Sequence, residues 1–214
     1  MKLKSLFATL LVGLLTLTSC SKDEKEEKKP DPTERKKYTK QEVRNLDVKG
    51  DKWVYFSFEQ GTTLEVKDPQ VDDKWDIAFN GYIVRLNGGS SGKGQAAALN
   101  TESKDFDKVT EIPQKDFVQD TENEIQVGYP DTKTIKISFS KELTGGFDIK
   151  NGIINIYPDN SQKWPSVYAP TKWVYVLKTT KGKFVKLQVT DCYNDRLKAV
   201  YLTFSYILSE DGKF

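Results

Sequence analysis

The chain contains no histidine, and its single methionine is Met1. That removes histidine triads, histidine general bases, and every histidine ligand to a metal or haem. Cysteine is nearly absent too, with only Cys20 and Cys192 in 214 residues, so no disulfide framework is available. No GxSxG, CxxC or HExxH motif occurs, and no convincing amphipathic helical period appears. The formal net charge is only +2. Lys2 and Lys4 lie in a leader, and without them basic and acidic residues balance. A balanced chain has no electrostatic footprint for nucleic acid. What it does have is aromatics, at 12% of residues, together with many Val, Ile and Thr. That composition favours strands over helices.

Residues 1–19 read as a secretory signal. Lys2 and Lys4 form a basic start, and Leu6–Leu17 is an apolar run too short to span a bilayer comfortably. The run ends Leu17-Thr18-Ser19-Cys20, which resembles a bacterial lipobox and implies cleavage before Cys20 and lipid attachment there. Residues 20–40 then form the lipidated cysteine and a charged tether, in which Ser21–Lys37 has no apolar residue except its prolines. Such a segment cannot bury enough surface to offset its chain entropy. Lys22-Asp23-Glu24 looks like the surface-export signal of lipoproteins in the Bacteroidetes group. The expected location is the outer membrane facing the cell exterior, with release as a further route. If Cys20 is lipidated, Cys192 is an odd thiol, expected to be buried and inert.

Residues 41–214 form the folded domain. Tyr38–Gly50 reads as an adaptor, and Lys52–Phe58 is the first firm strand. Trp75–Asn80 alternates as a half-buried strand and is followed by Tyr82–Leu86. Next comes Asn87–Gly94, with four glycines in seven residues (Gly88 to Gly94), which requires positive φ or a close approach of backbone. Gly94–Leu99 reads as helix by its alanines, or as a strand packed against nearby backbone. Lys133–Ser140, Gly152–Tyr157, Lys172–Lys178, Phe184–Thr190 and Ala199–Leu208 are further strands, with Gly145-Gly146 as a break and Pro158–Pro170 as a loop. The fold class is all-β, multi-stranded, with stacked antiparallel sheets or hairpins and few or no helices.

Two carboxylate pairs, Asp72 with Asp73 and Asp191 with Asp195, flank turns, where Asp serves backbone hydrogen bonding. Asn87–Gly94 lacks the ending and following helix of a phosphate loop. Chemistry therefore gives way to binding. Tyr129 in a turn, and Trp164 with Tyr168 in the Pro-rich loop, place aromatics where a flat apolar ligand could be held. Capping of the sheet by Trp164 and Tyr168 is the other reading of the same residues.

The lipobox, the runs Trp53–Phe58, Lys74–Phe79 and Val84–Gly94, and the closing Lys186–Asp191 together resemble the HmuY family of haem-binding lipoproteins of Bacteroidetes. The resemblance runs from about Trp53 to the C-terminus, apart from a variable middle. It implies an all-β fold in which two hairpin-like loops clamp a haem. It also implies a non-enzymatic haemophore that passes haem to a TonB-dependent outer-membrane receptor, and a membrane tie through Cys20. The family's two axial ligands, His or Met, have no counterpart here. The matching regions fall near Pro130–Ile135 and Tyr157–Trp164. This leaves Tyr129 and Lys133, Tyr157, Trp164 and Tyr168 as candidate contacts to haem or an iron-free porphyrin, with Tyr157, Tyr129 or Lys133 as candidate iron ligands. A glycan- or protein-interaction lipoprotein on the same scaffold is the alternative.

Overall fold

A computed structural model describes residues 38–50, 52–128, 131–147, 151–157 and 167–214. The signal and most of the tether, including Cys20, lie outside them, as do Tyr129, Pro130 and Trp164. The described residues contain fourteen strands and no helix. Five strands form the largest sheet, in the order β1 (Gln41–Asp47), β14 (Ala199–Ser209), β13 (Phe184–Tyr193), β12 (Val174–Lys178) and β6 (Ala97–Asn100). Four form a second, β3 (Thr62–Leu64), β2 (Val54–Ser57), β4 (Ile77–Asn80) and β5 (Ile83–Leu86). The other two sheets are a hairpin, β7 (Thr121–Val127) with β8 (Lys133–Phe139), and a three-stranded set, β11 (Val167–Pro170), β10 (Ile154–Tyr157) and β9 (Gly146–Phe147). Every pairing is antiparallel except β9 with β10.

The core lies between the two larger sheets. Phe56 and Phe58 of the four-stranded side meet Phe204 and Tyr206 of β14 edge-on, with ring centroids 5.5 Å apart for Phe56–Phe204 and 5.1 Å for Phe58–Tyr206. Such edge-to-face pairs add to the gain from area burial alone. The opposite face of the five-stranded sheet is covered as well. There Leu99, Val174, Val176 and Ile207 pack with Phe106 and Val109.

Several elements depart from the sequence pattern. Tyr38–Gly50 holds an edge strand, β1, paired with β14 through an irregularity between Val43 and Leu46. Its sequence QEVRNLD is mostly exposed, so it shows no apolar alternation to read. The Trp75–Asn80 strand is shorter than expected and buried on both faces. Ile77 and Phe79 enter the main core, while Ala78 packs with Trp75 and Tyr55 in a separate cluster. The alanine run is a strand, not a helix. Gly146, expected to break the chain, starts the short parallel strand β9.

The glycine corner is tightly packed rather than open. A Cβ on Gly88 would sit 2.1 Å from the Ala96 carbonyl oxygen, and one on Gly89 would sit 2.1 Å from that of Asp120. Asn87 is fully buried and holds the corner closed. Its Nδ2 donates to the carbonyls of Asp72 (2.8 Å) and Trp75 (3.0 Å), and its Oδ1 accepts from the Gly94 amide (3.2 Å). Lys93 is exposed. Gly88→Ala is expected to cost on the order of 2–4 kcal/mol of unfolding free energy in urea titration. Gly81→Ala, at φ 59° with open space around it, is expected to cost only about 1 kcal/mol. Equal losses would show that the corner is not sterically filled.

Candidate functional site

Two hairpins frame the site. In β7–β8 the pairing runs from Thr121↔Phe139 to Val127↔Lys133. Ile125, Val127, Ile135 and Ile137 are half-buried, while the alternating Glu122, Glu124, Thr134 and Lys136 are exposed. This is the period-2 pattern of a ribbon covered on one side. Its inner end is tied to β5, where Arg85 Nε donates to the Ser138 carbonyl at 2.8 Å and the Ser140 amide donates to the Val84 carbonyl at 2.8 Å. In β10–β11, Ile154 and Ile156 are buried. The outermost pair, Tyr157↔Val167, is 53% and 52% exposed, an apolar pair facing solvent.

Between the hairpins lies a cleft of ≈ 250 Å³, lined by Lys49, Asn80, Gly81, Tyr82, Ile83, Val127, Gly128, Tyr168 and Val200. Tyr82 bridges the β4–β5 turn to the hairpin, its hydroxyl donating to the Gln126 carbonyl at 3.1 Å. Tyr168 is anchored from behind, its amide donating to the Tyr193 hydroxyl at 3.0 Å. Burial raises the pKa of both Tyr82 and Tyr168, so each is a neutral phenol at neutral pH. Val200 holds φ 68°, a left-handed backbone that a β-branched residue rarely adopts.

Of the candidates from sequence, Tyr168 lines the cleft, and the hairpin end at Val127–Gly128 joins it there. Lys133 is exposed opposite Val127 and does not line the cleft. Nor does Tyr157, whose hydroxyl accepts the Asn155 amide at 3.3 Å. Tyr129 and Trp164 lie outside the described residues. Sequence reasoning missed Tyr82 and Lys49. Tyr82 follows Gly81 in a tight turn at positive φ, and that turn was the available signal. No group of three or more His, Cys, Asp or Glu side chains that could hold a metal occurs among the described residues.

Of the carboxylate pairs, Asp72 serves a turn, whereas Asp191 lies within β13 at a register irregularity and Asp195 accepts the Asn45 side-chain amide. Asp72 Oδ1 accepts from the Lys74 amide, and Asp191 Oδ1 from the amides of Cys192 and Tyr193. Cys192 is free and buried, and burial pushes its thiol up to about 12, which leaves it without thiolate character.

A family model, HmuY protein, matches residues 49–206. The chain belongs to the HmuY family. Three solved structures are similar in fold. One is a protein described as an HmuY-like heme-binding protein from Bacteroides vulgatus ATCC 8482, at 18% identity and TM-score 0.55, covering 79% of this chain and 91% of that one. Another is an apo HmuY analog from Tannerella forsythia, at 18% identity and TM-score 0.52, covering 84% and 99%. The third is described as a lipoprotein from Bacteroides fragilis NCTC 9343, at 19% identity and TM-score 0.55, covering 78% and 88%. No curated protein sequence matches the chain.

In this HmuY chain the base of the first hairpin carries a buried acid. Asp120 is 1% exposed and directly precedes β7. Its Oδ2 accepts the Leu86 amide at 2.9 Å, and its backbone carbonyl accepts the Ser90 amide at 3.0 Å, which joins the hairpin to the glycine corner. Burial pushes its carboxyl up to about 7, against the opposing pull of Ser91, the Leu86 amide and Arg85. The folded state therefore holds a proton that the unfolded chain releases near pH 4, so stability falls as pH rises towards 7. Across that window the loss is expected to be on the order of 2–4 kcal/mol. Asp120→Asn should flatten this slope relative to wild type in urea unfolding at successive pH values. Parallel profiles for the two proteins would refute the assignment.

Proposed function

We propose that this HmuY protein is a surface-exposed lipoprotein that binds haem or a related porphyrin for iron or haem acquisition, without histidine or methionine as axial ligands. The observation that carries the reading is the cleft between the two hairpins, whose lining combines the Tyr82 and Tyr168 rings, Ile83 and Val127 with close-set glycine backbone. Pockets for flat organic ligands are typically concave, largely apolar and sparing in polar groups. The cleft also opens at Gly128, next in sequence to Tyr129, and at Tyr168, beyond the segment that carries Trp164.

On this reading the first clamp carries Tyr129 and Lys133, and the second carries Tyr157, Trp164 and Tyr168. A tyrosinate would favour ferric iron, whereas a lysine ligand would need burial to become neutral. The lipid anchor at Cys20, residues 20–40 as tether, and delivery to a TonB-dependent outer-membrane receptor complete the proposal. The role is binding rather than catalysis.

The test is a hemin titration of residues 21–214, followed through the Soret band and tryptophan fluorescence. A saturable Soret shift with quenching is expected. Its absence would favour the glycan- or protein-interaction alternative. Tyr129→Phe, Tyr157→Phe and Lys133→Ala then ask which group meets iron, because loss of a true ligand changes the ferric spectrum as well as the affinity. Equal affinity for hemin and metal-free protoporphyrin would show that the ring alone is gripped.

A further inference from the structure

Among the described residues lining the cleft, Lys49 alone carries a formal charge. Its position is built into the fold. Val48 is fully buried, its amide donating to the Val200 carbonyl at 3.2 Å and its carbonyl accepting the Gly81 amide at 2.6 Å. Both partners of Val48 are themselves wall residues of the cleft. Lys49 is therefore fixed at the mouth between the β4–β5 turn and β14.

The Lys49 side chain is 48% exposed, and its ammonium donates to the Tyr201 hydroxyl at 2.7 Å. It also lies over the Tyr201 ring, 4.2 Å from the centroid, and 3.7 Å from Asp47 Oδ2. Tyr201 in turn lines a second, polar cleft of ≈ 220 Å³ with Asn45, Asn194, Asp195, Arg196 and Lys198. One of the two acids near this strip is already engaged, since Asp195 accepts the Asn45 side-chain amide at 3.2 Å. Lys49 thus stands where an apolar cleft passes into a polar one that holds two further cations.

We propose that Lys49 is the anchor for a carboxylate carried on one edge of the planar apolar ligand. The ring lies against Tyr82 and Tyr168, and its acid arms leave past Lys49 towards Arg196 and Lys198. The ligand carboxylate takes the Lys49 ammonium in place of the 3.7 Å contact to Asp47, exchanging a long ion pair for a charge-assisted hydrogen bond. The proposal rests on the porphyrin reading above and goes further by assigning the acid-binding residue.

The experiment titrates wild type, Lys49→Gln and Lys49→Arg with protoporphyrin IX and with its dimethyl ester, reading tryptophan quenching. Thermal melts establish that the variants remain folded. Wild type should prefer the acid over the ester by about tenfold. Lys49→Gln should lose that preference through a larger loss of affinity for the acid than for the ester, and Lys49→Arg should keep it. An unchanged acid-to-ester ratio in Lys49→Gln, or no preference in wild type, overturns the anchor and leaves porphyrin binding intact. If neither compound binds wild type, the porphyrin reading fails and the anchor with it.

Discussion

The Asn87 amide is the interaction on which the arrangement depends. Its side chain is fully buried, and it joins the Asp72–Trp75 turn to Gly94 across the glycine corner. The backbone follows, with the Asn87 amide donating to the Asp76 carbonyl and its carbonyl accepting the Ala96 amide. Asp76 extends the tie, accepting the amides of Phe58 and Thr180 and so linking the four-stranded sheet to the β12–β13 turn. A corner this tight excludes side chains at Gly88 and Gly89, and Gly89 is pressed against Asp120 at the foot of β7. The first hairpin is thus held in place by a corner that does not itself line the cleft.

Buried polar groups recur at such joints. Lys186 is 3% exposed in β13, yet its ammonium donates to the carbonyls of Phe106 (2.9 Å) and Val109 (2.8 Å) and lies 4.3 Å from the Phe106 ring centroid. It pins the segment that covers the outer face of the five-stranded sheet. Burial lowers its pKa, the sign expected when a cation leaves water. An isolated buried ammonium is costly unless its hydrogen bonds are met, and here two carbonyls meet them. Lys186, Asp76 and Asp120 each trade desolvation for a link between elements that apolar contacts alone would leave free to slide.

These joints explain which parts of the fold were legible in the sequence. Strands with one wet face announce themselves by alternation, as Lys133–Phe139 does. β1 did not, because its two core-facing apolar residues, Val43 and Leu46, are separated by a register irregularity that breaks the period of two. Trp75 appeared to continue the alternation of β4 but packs with Tyr55 and Ala78 instead, because β4 is buried on both sides and period-2 reading assumes one wet face. Asp76, Asp120 and Lys186 look like solvated positions in a strand pattern, since only tertiary contacts bury them. The glycine corner was recognisable by composition, and its steric reason is the close backbone approach. At the candidate site, Tyr168 was read from sequence either as a ligand contact or as a cap on the sheet, and it both lines the cleft and packs against the main core. Tyr82 and Lys49 were not, because the cleft joins a turn, a strand end and a hairpin far apart in sequence.

The chemistry of the cleft bears on how a metal-bearing ring would be held. A histidine or thioether ligand offers iron a lone pair without first losing a proton. A phenol must give up its proton, and burial raises that cost for Tyr82 and Tyr168. Tyr82 already commits its hydroxyl to the Gln126 carbonyl, so its ring face is what remains for a ligand. Ring faces recognise a flat apolar body whether or not a metal sits at its centre. Under the proposed reading, discrimination therefore falls on the outline of the macrocycle and the charge at its edge more than on iron. With no histidine in the chain and no methionine after Met1, the cleft residues Tyr82 and Tyr168 would in that case select the ring more than the metal.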